Sequence, residues 1–267
     1  MGVPSRRRRP SVPVVAVAVV TVGFLTLPLV GLLVKAPWGS LWPDLTSPVA
    51  MAALRLSLIC SLSATGLSLV LGLPLAWVLA RTEFPGRSLV RALTILPMVL
   101  PPVVGGVALL LVFGRAGFLG RPLFDWFGVQ LTFSTAGVVL AETFVAMPFL
   151  IITVEAALRS LDGRYEEAAA TLGAGRWTVF RQITLPLISS SLVAGTALTW
   201  ARALGEFGAT ITFAGDIQGR TQTLPLAVYL ALEGNEQVAI TLSLALLAVS
   251  VVVLVSLRGR WLGAIAP

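Results

Sequence analysis

Residues able to take part in covalent chemistry are scarce in this sequence. Its 267 residues include no histidine and a single cysteine, Cys60, which excludes Ser-His-Asp and Cys-His catalysis, histidine metal sites and an internal disulfide. The only lysine, Lys35, follows Leu-Val and not the glycine-rich loop that binds ATP phosphates. We therefore expect no catalytic residue, no metal and no cofactor in this chain.

The segment between residues 158 and 186 contains the most informative polar pattern. Its defining residues are Glu167, Ala168, Ala169, Gly173, Ala174, Ile183, Leu185 and Pro186. Glutamates near the start of a helix complement its dipole, and alanines favour a helix while permitting a partner to approach closely. Gly173 allows that helix to end, and Pro186 fits the start of another. We predict a short helix, a break, and a second helix leading into an apolar run.

Apolar runs make up most of the remaining sequence. Hydrophobic residues account for 57% of the chain and charged residues for 12%, with a mean hydropathy of +0.93; a soluble domain has about 25% charged residues. Six runs are about 20 residues long or longer, which is the length that crosses a bilayer as a helix. They are 12–34, 49–80, 92–113, 135–157, 187–205 and 238–257. The expected fold is all-α, with six transmembrane helices in a lipid bilayer.

The distribution of basic residues predicts the orientation of these helices. Thirteen arginines fall on one set of loops and termini, against four arginines and Lys35 on the other set. Cytoplasmic loops carry the excess of positive charge, so both termini are assigned to the cytoplasm. The net charge of +7 has the same explanation, and no nucleic-acid partner is expected. The predicted divisions are a basic N-terminus (1–11), a first transmembrane helix (12–34), a core (49–257) containing the loop 158–186, and a cytoplasmic tail (258–267).

Prolines and glycines interrupt the third apolar run. They are Pro97, Pro101, Pro102, Gly105 and Gly106. Proline breaks helical hydrogen bonding, and within a membrane the freed backbone groups must be satisfied by protein or by a water-filled cavity. Two interpretations are open: a broken helix whose free N–H groups line a pore, or a kink that serves helix packing.

Several charged residues lie in or near the apolar runs. An unpaired charge inside a membrane is costly, and helical spacing of four residues allows Glu155 to pair with Arg159 and Arg202 with Glu206. The second pair flanks Gly205 near the predicted outer end of the fifth run. We expect a gate or pore region formed by Pro101, Pro102, Gly105, Gly106, Arg202, Gly205 and Glu206.

The pattern in segment 158–186 resembles the cytoplasmic "EAA" loop of permease subunits in binding-protein-dependent ABC importers, with the same spacing throughout. The resemblance covers roughly residues 49–257 and extends to the molybdate permeases in several stretches. These stretches are Phe84–Arg87, Leu96–Gly106, Ala203–Thr210, Phe213–Gly215 and Gly219–Leu226. Sulfate permeases share much of this, but the Gly205–Gly208 and Thr221–Thr223 stretches together favour molybdate.

The resemblance implies a type I ABC importer permease fold, together with a set of partners. Two copies of an ABC ATPase subunit would dock on the EAA loops at the cytoplasmic face, and an extracytoplasmic protein would deliver the oxyanion. A second permease copy is expected, as a homodimer, in a bacterial plasma membrane. The resemblance also implies transport by alternating access, driven by ATP hydrolysis in the partner chain, with no reaction catalysed by this chain.

Two other functions remain open from the sequence. The nearer one is a sulfate or thiosulfate importer permease of the same architecture. The more distant one is a polytopic membrane enzyme, which would need His, Asp, Glu or Lys clustered at a membrane face. Only segment 158–186 clusters acidic residues here, as Glu166 and Glu167.

Overall fold

The computed structural model describes residues 11–262, with side chains through residue 253 and at residue 255. In this part of the chain every regular element is helical. The elements are α1 (Val12–Val34), α2 (Leu41–Leu45), α3 (Pro48–Arg81), α4 (Arg87–Val99), α5 (Pro102–Phe113), α6 (Gly120–Phe127), α7 (Thr135–Ser160), α8 (Arg164–Thr171), α9 (Arg176–Val179), a π-helical turn (Phe180–Thr184), α10 (Leu185–Leu187), α11 (Ser189–Leu204), α12 (Gly208–Ala214), α13 (Leu224–Gly234) and α14 (Glu236–Leu262).

Four of these helices, α1, α3, α7 and α14, are long and apolar enough to cross a bilayer. Two further spans are possible if each of two bent helix pairs counts as one, which gives four to six candidates. Each of the six apolar runs is helical over most of its length, so the all-α expectation is confirmed. The two bent pairs are α4 with α5, and the segment 176–187 with α11. These pairs are not the straight, uninterrupted helices that a single apolar run would give.

Helices α3 and α7 form the centre of the molecule and run parallel. Cys60 packs with Val138 at one end of the pair, and Leu79 packs with Leu158 at the other. Small residues permit this close packing, since a Cβ atom at Gly72 would lie 3.1 Å from the Ile151 side chain. Because α3 and α7 point the same way, the chain between them must cross back, and α4 with α5 make that crossing.

The third crossing is more strongly interrupted than a single run over 92–113 suggested. Helix α4 begins earlier, at Arg87, and ends at Val99, and α5 starts at Pro102 after a bend of 116°. Leu100 and Pro101 adopt extended backbone conformations between the two helices. Consecutive prolines at 101 and 102 cannot donate the hydrogen bonds that would continue α4, which explains why the helix ends here.

The fifth crossing is longer than the predicted run 187–205. Helix α11 runs antiparallel to α7, since Gly195 faces Thr153 while Ala203 packs with Ala146. After a break at residues 205–207, α12 continues in the same direction, and Ala214 reaches the level of Val138. This crossing is therefore a discontinuous helix.

The two ends of the chain lie partly outside the described residues. Residues 1–10 of the predicted basic N-terminus and residues 263–267 of the predicted tail fall in that category. Helix α14 begins at Glu236 and extends to Leu262, so residues 258–262, which were predicted to be tail, are helical. Helix α1 buries none of its residues within this chain and contacts α14.

Candidate coupling surface and membrane junction

Helix α8 presents an exposed surface formed by the first half of the predicted loop pattern. Glu167 and Ala168 are exposed, Ala169 is half-buried, and no residue of α8 is buried. Just beyond the helix, the Leu172 side chain is 89% exposed. The open surface of α8 therefore consists of small alanines and an acidic residue, with one large apolar side chain just beyond the helix end.

Gly173 follows the end of this helix, as the sequence predicted, and adopts a left-handed backbone conformation. Its φ is +84°, and a Cβ atom at this position would meet no other atom within 4 Å. The N–H of Ala174 then donates to the Ala169 carbonyl oxygen at 3.1 Å, which closes the helix end. The backbone conformation, and not a lack of space, therefore requires glycine here.

The second half of the pattern leads into α11 through an irregular helix. Residues Arg176–Leu187 form a helical segment that is bent by 73° relative to α11 and contains the π-helical turn Phe180–Thr184. Ile183 and Leu185 are half-buried, and Pro186 is exposed. Phe180 packs edge-on against Trp77 of α3, with ring centroids 5.3 Å apart. The predicted second helix is present, but its axis is not that of the membrane helix.

A carboxylate anchors α8 to the rest of the molecule. Glu166 Oε1 accepts hydrogen bonds from Thr184 Oγ1 at 2.7 Å and from Arg81 Nη2 at 3.1 Å. A second acidic residue at the same end of the bundle, Glu155, pairs with Arg91 of α4 and lies 3.7 Å from Arg159 Nη1. The predicted Glu155–Arg159 pairing is confirmed, with Arg91 as a further partner.

The start of α5, with Pro102 and Gly106, meets the Arg202–Glu206 region in one place, which we call the membrane junction. It consists of the start of α5 and the break between α11 and α12. A Cβ atom at Gly106 would lie 2.7 Å from Thr212 Cβ and 2.9 Å from the Ala209 carbonyl oxygen. A Cβ atom at Gly208 would lie 2.9 Å from Pro102 Cβ. Only glycine at these positions lets α5 and α12 pack backbone to backbone.

One carboxylate joins the two halves of the discontinuous helix. Glu206 is 1% exposed, and its Oε2 forms an ion pair with Arg202 Nη1 at 2.6 Å. Its Oε1 accepts a hydrogen bond from the Ala209 N–H at 2.8 Å, in the first turn of α12. The cation thus lies at the C-terminal end of α11 and the anion at the N-terminal end of α12, which is favourable for both helix dipoles.

Comparison with known proteins assigns this architecture to a family. The family described as "Binding-protein-dependent transport system inner membrane component" matches residues 68–264. This chain belongs to that family. Among its relatives, molybdenum transport system permease protein ModB of Mycobacterium tuberculosis is 45% identical over 91% of this chain and 92% of the relative. ModB of Escherichia coli is also 45% identical, over 83% of this chain and 96% of the relative.

More distant relatives extend the comparison. Sulfate transport system permease protein CysT of Escherichia coli is 39% identical over 88% of this chain and 86% of the relative. A solved bacterial alginate ABC transporter, in complex with an alginate-bound periplasmic protein, is similar in fold with a TM-score of 0.71 at 20% identity, over 92% of this chain and 90% of that chain. The inward-facing MetNI methionine ABC transporter has a TM-score of 0.64 at 18% identity, over 82% of this chain and 97% of that chain. The chain therefore has the ABC importer permease fold, and its named relatives are transport permeases.

Most of the sequence-predicted site residues of this permease fall into the two places just described. Glu167, Ala168 and Gly173 are exposed on α8 and just beyond its end, with Ala169 and Ala174 half-buried beside them. The pore candidates collect at the membrane junction. Sequence reasoning missed Arg81, Thr184 and Arg91 as partners of buried or half-buried carboxylates. Their separations of 85, 18 and 64 residues from those carboxylates leave no local pattern to find.

Proposed function

We propose that this chain is the membrane-spanning permease of an ATP-driven oxyanion importer whose main substrates are molybdate and tungstate. The observation that carries the proposal is the 45% identity to molybdenum transport permeases over most of both chains. The 39% identity to a sulfate permease makes sulfate or thiosulfate the second candidate. The exposed α8 surface supports the ATP-driven part of the proposal, because a chain without its own phosphate loop needs a motor protein to dock.

The proposed assembly contains two copies of this chain, two ATPase subunits and one extracytoplasmic binding protein. Each ATPase would contact one α8 surface, formed by Glu167, Ala168 and Gly173 with the neighbouring Leu172. ATP binding would draw the two α8 helices together and open the pore outward, and hydrolysis would reverse the change and release the anion inside. Bond cleavage takes place entirely in the ATPase partner.

The membrane junction is the proposed gate of this permease. Both half-helices α5 and α12 begin there, and backbone groups freed by a helix break can face a transported ion when they line a cavity. Arg202 is already paired with Glu206 and is therefore unsuited to serve as a fixed anion-binding charge. A dianion held tightly by a free arginine would also leave the pore slowly. Selectivity is instead assigned to the binding protein, which can enclose the anion completely.

The proposed orientation has both termini in the cytoplasm, and it can be tested by cysteine labelling. In a Cys60→Ala background, single cysteines at Arg87 and Arg176 should react with membrane-impermeant maleimide only after the cytoplasmic face is opened. Cysteines at Asp44 and Gln218 should react in intact cells. Position 218 lies in a loop whose Arg220 carbonyl oxygen accepts a hydrogen bond from Thr135 at the start of α7. If positions 176 and 218 react from the same face, the assignment of six crossings is wrong.

The substrate is tested by competition uptake in cells that lack other oxyanion transporters. With its own binding protein and ATPase, the permease should accumulate radiolabelled molybdate, and unlabelled tungstate should compete much more strongly than sulfate. The matched control is the same strain with an ATPase that cannot hydrolyse ATP, in which uptake should be absent. Preferential accumulation of sulfate would replace molybdate by the second candidate and leave the importer assignment intact.

A further inference from the structure

The coupling helix α8 is fastened to the membrane bundle through one side chain. Within the described residues, Glu166 is the only member of α8 whose side chain is hydrogen-bonded or ion-paired to a residue beyond the loop that carries the helix. Because α8 also buries none of its residues, apolar packing does little to hold it in place. A helix held this weakly transmits force mainly through its backbone connections and this carboxylate.

The two partners of Glu166 belong to the two elements that α8 would have to move. Arg81 is the last residue of α3, which packs along α7 at the centre of the molecule. Thr184 is fully buried and closes the π-helical turn, just before the 73° bend into α11. One carboxylate oxygen thus connects the docking helix to the central bundle and to the base of the discontinuous fifth crossing.

The π-helical turn is a suitable place for movement to begin. π-helical turns are uncommon and are frequently found at functional sites, because they interrupt the regular hydrogen bonding of a helix. Here the turn is supported on one side by the Trp77–Phe180 ring contact and on the other by the Thr184–Glu166 hydrogen bond. A displacement of α8 would therefore reach α11 through Thr184 without first unfolding the turn.

We propose that Glu166 is a positioning residue which makes α8 move together with the cytoplasmic end of α3 and with the bend into α11. The inference rests on the proposed docking of an ATPase at α8. Its neighbour Glu167 is exposed and makes no hydrogen bond or ion pair with Arg81 or Thr184, the partners of Glu166. The adjacent acids then have separate roles: Glu167 belongs to the docking surface, and Glu166 transmits the movement of that surface to the membrane.

The test measures molybdate transported per ATP hydrolysed in proteoliposomes containing the permease, its ATPase and its binding protein. In Glu166→Ala the ATPase should still co-purify, while transport per ATP should fall by roughly tenfold, the change expected when a charge-assisted hydrogen bond is lost. Glu83→Gln is the matched control, since Glu83 is an exposed acid near the end of α3 with no hydrogen bond or ion pair in the described structure. Its transport per ATP should equal that of the wild type.

Charge reversal separates a coupling role from a general loss of folding. Arg81→Glu places two carboxylates together and should lower transport per ATP, and the double variant Arg81→Glu with Glu166→Arg should recover a substantial part of it. Unchanged coupling in Glu166→Ala complexes, or a double variant no better than Arg81→Glu alone, would overturn the inference. If the wild-type complex itself moves no oxyanion, the proposed function fails. If the wild type and Glu166→Ala both transport normally per ATP, only the role of Glu166 fails.

Discussion

Replacing Gly173 with valine should abolish the proposed oxyanion transport while leaving the permease folded in the membrane. At φ +84° a residue with a Cβ atom is strained by about 1–3 kcal/mol, and a β-branched residue is accommodated worst. The helix end would relax by changing the direction of the chain after α8. Since Leu172 and Ala174 flank the glycine, the proposed docking surface would change its shape. ATPase stimulation and uptake in proteoliposomes measure the effect.

Two matched variants show whether backbone conformation is the cause. Gly173→Asn should retain much of the transport, because asparagine tolerates the left-handed region. Gly175→Val adds the same side chain two residues later, where φ is −67°, ψ is 157° and no atom lies within 4 Å of a Cβ atom. This control should transport nearly as well as the wild type. Normal coupling in Gly173→Val would remove Gly173 from the coupling surface.

Removing Arg202 alone should destabilise the permease more than removing both members of the Arg202–Glu206 pair. In Arg202→Met the Glu206 carboxylate, which is 1% exposed, loses its counter-ion. Breaking a buried pair in this way costs about 3–5 kcal/mol, and the lower end applies here because Arg202 is partly exposed. Thermal unfolding in detergent should show the loss, and transport should fall with it.

The double variant Arg202→Met with Glu206→Gln should be more stable than Arg202→Met. Glutamine keeps a neutral oxygen that can accept the Ala209 N–H now bound by Glu206 at 2.8 Å, so the first turn of α12 remains capped and no unpaired charge is buried. The ratio of molybdate to sulfate uptake should be the same in every variant that still transports. A changed ratio would instead make Arg202 part of an anion-binding site, and equal stability of the single and double variants would contradict the role of the pair.

The membrane location, the helical class and the position of helix α8 were determined by the sequence itself. Apolar runs of about 20 residues in a chain with 12% charged residues indicate transmembrane helices, because backbone groups in lipid must hydrogen-bond to one another within the segment. The end of α8 was equally local, since a glycine after a run of alanines is the residue that most easily adopts positive φ. These features depend on neighbours within about one helical turn, so the pattern alone predicts them.

The geometry of the helix interruptions and the contacts between the interrupted helices were decided only by the tertiary structure. The prolines of run 92–113 predicted an interruption but left open whether it is a kink or a break, and only the structure shows the bend of 116° between Val99 and Pro102. The contact of Gly106 with Ala209 and the bond of Glu166 to Arg81 connect residues about 100 and 85 positions apart. Such pairs form only when α5 packs on α12 and α8 lies against the end of α3, because packing brings residues far apart in the sequence within contact distance.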